Sequence, residues 1–150
     1  MKTNRQLLVC VATAMAGQGV SARPLQPSDL ELTTVYCAGV LQNRLALLQA
    51  HSQPSESATA ALRRDMERLG NFIGPRLGTL DSTRLAIARR RANDDFMTWY
   101  ADADACMDRC AGNRERASIE KRRACWSGCS DTGAAFERMR ICTTIDWLPP

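Results

Sequence analysis

Cys106-Met107-Asp108-Arg109-Cys110 and Cys125-Trp126-Ser127-Gly128-Cys129 are two CxxxC motifs separated by residues 111–124. Four residues advance about 6 Å along a helix and return to nearly the same face. Each motif therefore presents two sulfurs, one turn apart, toward one neighbour. In an antiparallel hairpin the numbers of facing residues have a constant sum, and the nested pairs Cys106–Cys129 and Cys110–Cys125 share that sum. Crossing the pairs would offset one helix against the other by two turns. Pairing within a motif would orient the Cβ atoms poorly. The spacing predicts two antiparallel helices joined by two disulfide rungs.

The flanking sequence extends this hairpin in both directions. Toward the N-terminus, Leu85, Ala88, Ala92, Phe96, Trp99, Ala103, Cys106 and Cys110 recur mainly at intervals of three and four. That is the seam of a bundle helix, with Asp81 or Ser82 as its cap and Gly112-Asn113 as its stop. A charged connector, Arg114-Glu115-Arg116, leads to a last helix expected from about Ala117 to Thr143, with Cys125, Cys129, Thr132, Phe136 and Met139 on one stripe. The tail Asp146-Trp147-Leu148-Pro149-Pro150 cannot continue it, and Trp147 is expected to fold back over the bundle end.

Two more helices precede the hairpin. Ser28-Asp29-Leu30-Glu31 reads as a capping box. The stripe Leu30, Thr34, Cys37, Leu41, Leu45 and Leu48 follows, widened by Tyr36, Val40 and Leu47, and ends near His51. Ser52-Gln53-Pro54-Ser55 is a break. A second helix starts at Ser55 or Ser57 and carries Ala58, Leu62, Met66, Leu69 and Ile73; Gly70, Gly74 and Pro75 predict a kink or stop at its end. The fold class expected is all-α: a four-helix up-and-down bundle with a disulfide-stapled C-terminal helical hairpin. In that topology the first helix starts where the fourth finishes. The last two cysteines, Cys37 and Cys142, are thereby paired; on a helical wheel Cys142 turns about 120° from the Cys125 stripe, toward the first helix. Closing that long loop stabilises by about 4–5 kcal/mol in the chain-entropy model, against about 3 kcal/mol for the hairpin loop.

The N-terminus reads as an export signal. Lys2 and Arg5 precede the apolar residues 7–16, and Val20-Ser21-Ala22 or Ala14-Met15-Ala16 offers a small-residue cleavage site. The apolar run is too short to span a bilayer in the mature protein. Val9 occupies the position before Cys10 where a lipoprotein needs a small residue. Residues 1–22 are therefore assigned as signal peptide and residues 23–150 as a single helical domain. Cleavage removes Cys10 from the seven cysteines and leaves six, an even number that suits a disulfide framework in a periplasmic or secreted protein.

Of the twenty basic residues two leave with the signal, so eighteen face sixteen acidic ones. That balance argues against a nucleic-acid partner, which favours a basic stripe. No second hydrophobic span follows, so no stable membrane insertion is expected after cleavage. Nothing frames an enzyme: there is no phosphate loop, no HExxH and no GxSxG, and His51 reads as a cation at a helix C-terminus. No cofactor is implied. Asp94, Asp95, Asp102, Asp104 and Asp108 read as a solvated acidic face, and Arg89-Arg90-Arg91 spread around their helix without forming one patch. Trp99 falls on the seam. Trp126 lies about 100° off the Cys125 stripe and is the candidate contact residue.

The segment from Cys106 to Cys129 resembles the twin-CxxxC helical hairpins of α-hairpinin peptides and of the small chaperones of the mitochondrial intermembrane space. Proteins of those families bind other proteins, some inhibiting proteases and others holding unfolded membrane proteins. The resemblance implies the disulfide staple. The function expected is a non-catalytic protein-interaction or inhibitor module whose partner is another envelope or extracellular protein. The alternative is periplasmic handling of copper or zinc through the CxxxC thiols, with Met107 as an added soft donor.

Overall fold

A computed structural model describes residues 29–50, 55–113 and 115–149. The expected signal peptide, the Ser28 cap, the break at residues 52–54, His51 and Arg114 lie outside them. The described residues form helices and turns without a strand: α1 (Leu30–Ala50), α2 (Glu56–Ile73), a 3-10 turn (Gly74–Thr79), α3 (Ser82–Ala111), α4 (Ile119–Cys129), α5 (Ala134–Met139) and a final 3-10 turn (Arg140–Cys142).

The caps explain where the helices begin. Ser55 Oγ accepts from the Ala58 amide at 3.4 Å, Asp81 Oδ1 from the Arg84 amide at 2.8 Å, and Ser118 Oγ from the Lys121 amide at 3.2 Å. Each side chain satisfies one of the amides that a helix start leaves without an internal partner. α2 passes through Gly70 and ends at Ile73, where Pro75 falls at the start of the 3-10 turn. α3 ends at Gly112, whose φ of 68° suits a residue without Cβ.

α1 is the central helix. Every residue from Leu32 to Cys37 is buried, as are Val40 and Leu41. A helix buried on one face shows one stripe; a helix buried all round shows none. The expected single stripe therefore understates α1. Besides the Tyr36 hydroxyl, the polar side chains in that run are threonines, and Thr34 Oγ1 donates to the Leu30 carbonyl at 2.7 Å. α2 packs along one side of α1, α3 along another, and the Arg140–Cys142 turn closes against it. Close approach of α1 to α3 depends on Gly39: a Cβ there would lie 2.8 Å from the Ala92 Cβ. One core gathers Tyr36, Val40, Leu41, Leu69, Phe96 and Trp99, and a smaller cluster gathers Leu32, Val35, Ile73 and Ala88. Burying side chains of this size contributes about 1.5–3 kcal/mol each.

The fourth segment is not the continuous helix expected from Ala117 to Thr143. It breaks after Cys129 and resumes at Ala134. The intervening Ser130-Asp131-Thr132-Gly133 is made of turn-forming residues that compete with helix for backbone hydrogen bonds. Ser130 Oγ donates to Asp131 Oδ1 at 3.1 Å, Thr132 Oγ1 donates to the Cys129 carbonyl at 3.2 Å, and Gly133 adopts a φ of 95°. The indole of Trp99 donates to the Ser130 carbonyl at 2.6 Å and ties the break to α3. The tail returns to the core: Ile145 and Leu148 are buried, and the Trp147 indole donates to the Ile141 carbonyl at 2.8 Å.

Candidate functional site

Three disulfides join Cys37 to Cys142, Cys106 to Cys129 and Cys110 to Cys125, with Cα–Cα separations of 5.1, 5.6 and 5.7 Å. The first ties the start of α1 to the final 3-10 turn inside the core. The other two are the nested rungs between α3 and α4. All six sulfurs are thus in cystine form and offer no thiolate to a metal ion. Among the described residues no group of three or more His, Cys, Asp or Glu side chains is placed to hold one. No helix among them is long and apolar enough to cross a membrane.

α4 is unusual in what it buries. Of its eleven residues only Cys125 and Cys129 are buried, and the other nine are exposed. At 100° per residue, Arg122, Trp126, Ile119 and Arg123 fall in that angular order within about a 100° arc beside the cystine face. Ile119 is 67% exposed and Trp126 36%. Among the described residues no carboxylate pairs with Lys121, Arg122 or Arg123. Trp126 is nevertheless anchored. Its ring stands edge-on to Trp99 at 6.1 Å and 76°, and Trp99 in turn contacts Phe96 at 5.3 Å. Such an aromatic pair is worth about 0.5–1.5 kcal/mol beyond its buried area. A wet indole is thereby held against a dry, hydrogen-bonded one.

The acidic stretch does not form a single solvated face. Asp95 is buried, at 6% exposure, and accepts from the Tyr36 hydroxyl at 2.8 Å and from Arg138 Nε at 2.7 Å. Arg91 Nε lies 3.7 Å from the same carboxylate. One carboxylate thus connects α1, α3 and α5. Burial pushes the Tyr36 hydroxyl well above its ordinary range, and the hydrogen bond and negative charge of Asp95 push it further, against a weaker opposing pull from Arg91 and Arg138. The hydrogen bond to Asp95 raises Arg138, with desolvation opposing. Asp95 stands three residues after Ala92 and seven after Ala88, so it sits at the margin of the α3 seam; that spacing was the signal for its burial. Its donors surround it, and it holds three elements together.

Arg44 was also silent in the sequence. It half-buries its side chain beside Val40, Trp99, Phe136 and Met139, around a void of about 10 Å³ that has room for a water at most. Desolvation lowers its guanidinium from the ordinary range, and the negative charge of Asp131 opposes this. Arg89 and Arg90 are exposed while Arg91 turns toward Asp95, so the arginine run does divide around its helix.

No protein-family model, curated protein or solved structure matches this chain.

Proposed function

We propose that this chain is an exported, disulfide-stabilised helical protein that acts as a non-catalytic protein-interaction or inhibitor module. Residues 1–22 are its signal peptide and residues 23–150 its single domain, a four-helix up-and-down bundle in which α4 and α5 share the fourth position. It works in the periplasm or outside the cell, on another envelope or extracellular protein, and α4 is the helix it displays, with Trp126 as the central contact.

The observation that carries this reading is the exposure of α4. An eleven-residue helix is marginal in water on its own. Ordinary globular helices compensate by burying an apolar stripe; α4 buries only its two half-cystines. Two covalent rungs therefore maintain a helix that contributes little to the core, and what they preserve is its outward surface. That surface has interface chemistry: an aromatic anchor, an exposed isoleucine and arginines that no carboxylate among the described residues pairs. The three disulfides suit an oxidising compartment.

The test is capture from envelope extract by the protein and by its Trp126→Ala and Ile119→Glu variants, with melting followed in parallel. A bound protein that both variants release, at unchanged core stability, supports the reading. Capture indifferent to both substitutions sinks it. Intact mass of the alkylated, unreduced exported protein checks processing; free thiols at Cys106, Cys110, Cys125 and Cys129 would replace this reading with metal handling.

A further inference from the structure

α2 and α3 both pack along α1, and Ile73 of α2 and Ala88 of α3 share a cluster with Leu32 and Val35 of α1. Between them α1 remains partly uncovered and floors a groove of about 450 Å³. No residue of α4 lines it. Three carboxamides, Gln42, Asn43 and Asn93, converge on this groove; Ile73 and Leu77 form its apolar wall, and Arg89 stands beside Asn93 one turn away on α3. No acidic side chain lines it, and among the described residues Arg89 has no ion-pair partner.

We propose that this groove binds an extended peptide segment carrying a carboxylate. It is a site separate from the α4 face and does not depend on that reading. The argument turns on the carboxamides. Each offers both a donor and an acceptor, and the main chain of an extended peptide exposes both, alternating along its length. A docked helix would arrive with its backbone already paired, leaving three amides to be desolvated without partners, which is unfavourable. The chemistry therefore selects a strand-like occupant over a helical one. Its length follows from the floor: Val35 to Asn43 spans about 12 Å of helix, or about four extended residues. Ile73 and Leu77 accept one apolar side chain, and Arg89 pairs with the terminal carboxylate of the segment's free C-terminus.

The test uses an array of tetrapeptides with free C-termini, read by fluorescence anisotropy, with side-chain amide signals followed by NMR. Binding is expected to shift the amide signals of Gln42, Asn43 and Asn93. Arg89→Glu is expected to weaken it by more than about tenfold, as is replacing every carboxylate of the best peptide by amide. Because Arg89 is exposed, its variant should keep the parent melting temperature; Gln42→Ala, also exposed, serves as a second variant and should weaken binding too. Trp126→Ala should leave binding unchanged, which separates this site from the α4 surface. No binding at millimolar peptide, binding indifferent to Arg89→Glu, or shifts confined to α4 would each overturn the proposal. Loss on Arg89→Glu with undiminished binding of the amidated peptide would overturn the carboxylate requirement.

Discussion

The first half of α1 and the whole of α4 are both fastened by disulfides, and the bond does different work in each. Cys37 ends the run Leu32–Cys37, which is buried throughout, so its link to Cys142 is added to packing that already exists. Cys125 and Cys129 lie on a helix with no other buried residue, so their links stand in for packing. α1 also has a polar anchor, the Tyr36–Asp95–Arg138 network, whereas the nearest equivalents by α4 are Trp126 against Trp99 and the Trp99 bond to Ser130. The difference teaches that the covalent framework is common to both regions while cooperativity is not. Unfolding around α1 should be global; unfolding of α4 should be local.

The largest effect is expected from opening Cys37–Cys142 by a double substitution to Ala. The bond closes a separation of 105 residues, and its loss should lower global stability by about 4–5 kcal/mol, measured by chemical denaturation. A loss confined to the tail, with Tyr36–Leu41 still protected from hydrogen exchange, would break the comparison.

Asp95→Asn comes next. It leaves the Arg138 cation without its counter-charge beside a buried hydroxyl. The cost should be about 3 kcal/mol, the low end for breaking a buried pair because Arg138 keeps partial access to water. A loss below about 0.5 kcal/mol would show that the network is ornamental to the α1 core.

Replacing the four hairpin cysteines by serine should affect the molecule differently. The amides of α4 should lose exchange protection while those of Tyr36–Leu41 keep theirs, because the two bonds close separations of only 23 and 15 residues, outside the α1 core. Retained protection in α4 would mean that its surface contacts suffice to hold it, and would weaken the case for a displayed helix.

The smallest effect concerns pH. The Tyr36 hydroxyl titrates higher in the folded than in the unfolded protein. Its contribution to stability is therefore complete below about pH 10, the unfolded tyrosine value, and is lost as pH rises above it because the unfolded chain gives up the proton first. By tyrosinate absorbance, Tyr36 should ionise only on unfolding. Tyr36→Phe should cost about 1 kcal/mol at neutral pH and flatten the alkaline slope. Ionisation of Tyr36 in the native state at the ordinary tyrosine pH of about 10 would contradict the burial of the network.

Much of the hairpin was legible because its logic is local. Cys106 and Cys110, or Cys125 and Cys129, are related by one helix turn, and the register between the motifs follows from antiparallel geometry alone. The α3 seam and the Asp81 cap are equally short-range. Ser130-Asp131-Thr132-Gly133 was legible too, in principle: the turn chemistry is present, but the spacing of Cys125, Cys129, Phe136 and Met139 imitates a continuous stripe and masked it. Trp126 was placed at the edge of the cystine face by its wheel angle, but its contact with Trp99 depends on how α4 is rotated against α3. The groove over α1 had no signature, since Gln42 and Asn93 acquire a common setting only when α3 packs along α1.

By itself, then, the sequence determined what is decided within a few helical turns: helix starts, the seam of α3 and the pairing of its cysteines with those of α4. Periodicity and capping are properties of near neighbours, and no distant residue is needed to state them. Tertiary structure decided that the first half of α1 is buried almost throughout, that α4 is covered on almost no side, and that Asp95 is buried. That last outcome rests on Tyr36 and Arg138, which are 59 and 43 residues away along the chain. A carboxylate's cost of burial is set by the donors that reach it, and only the folded chain brings those donors together.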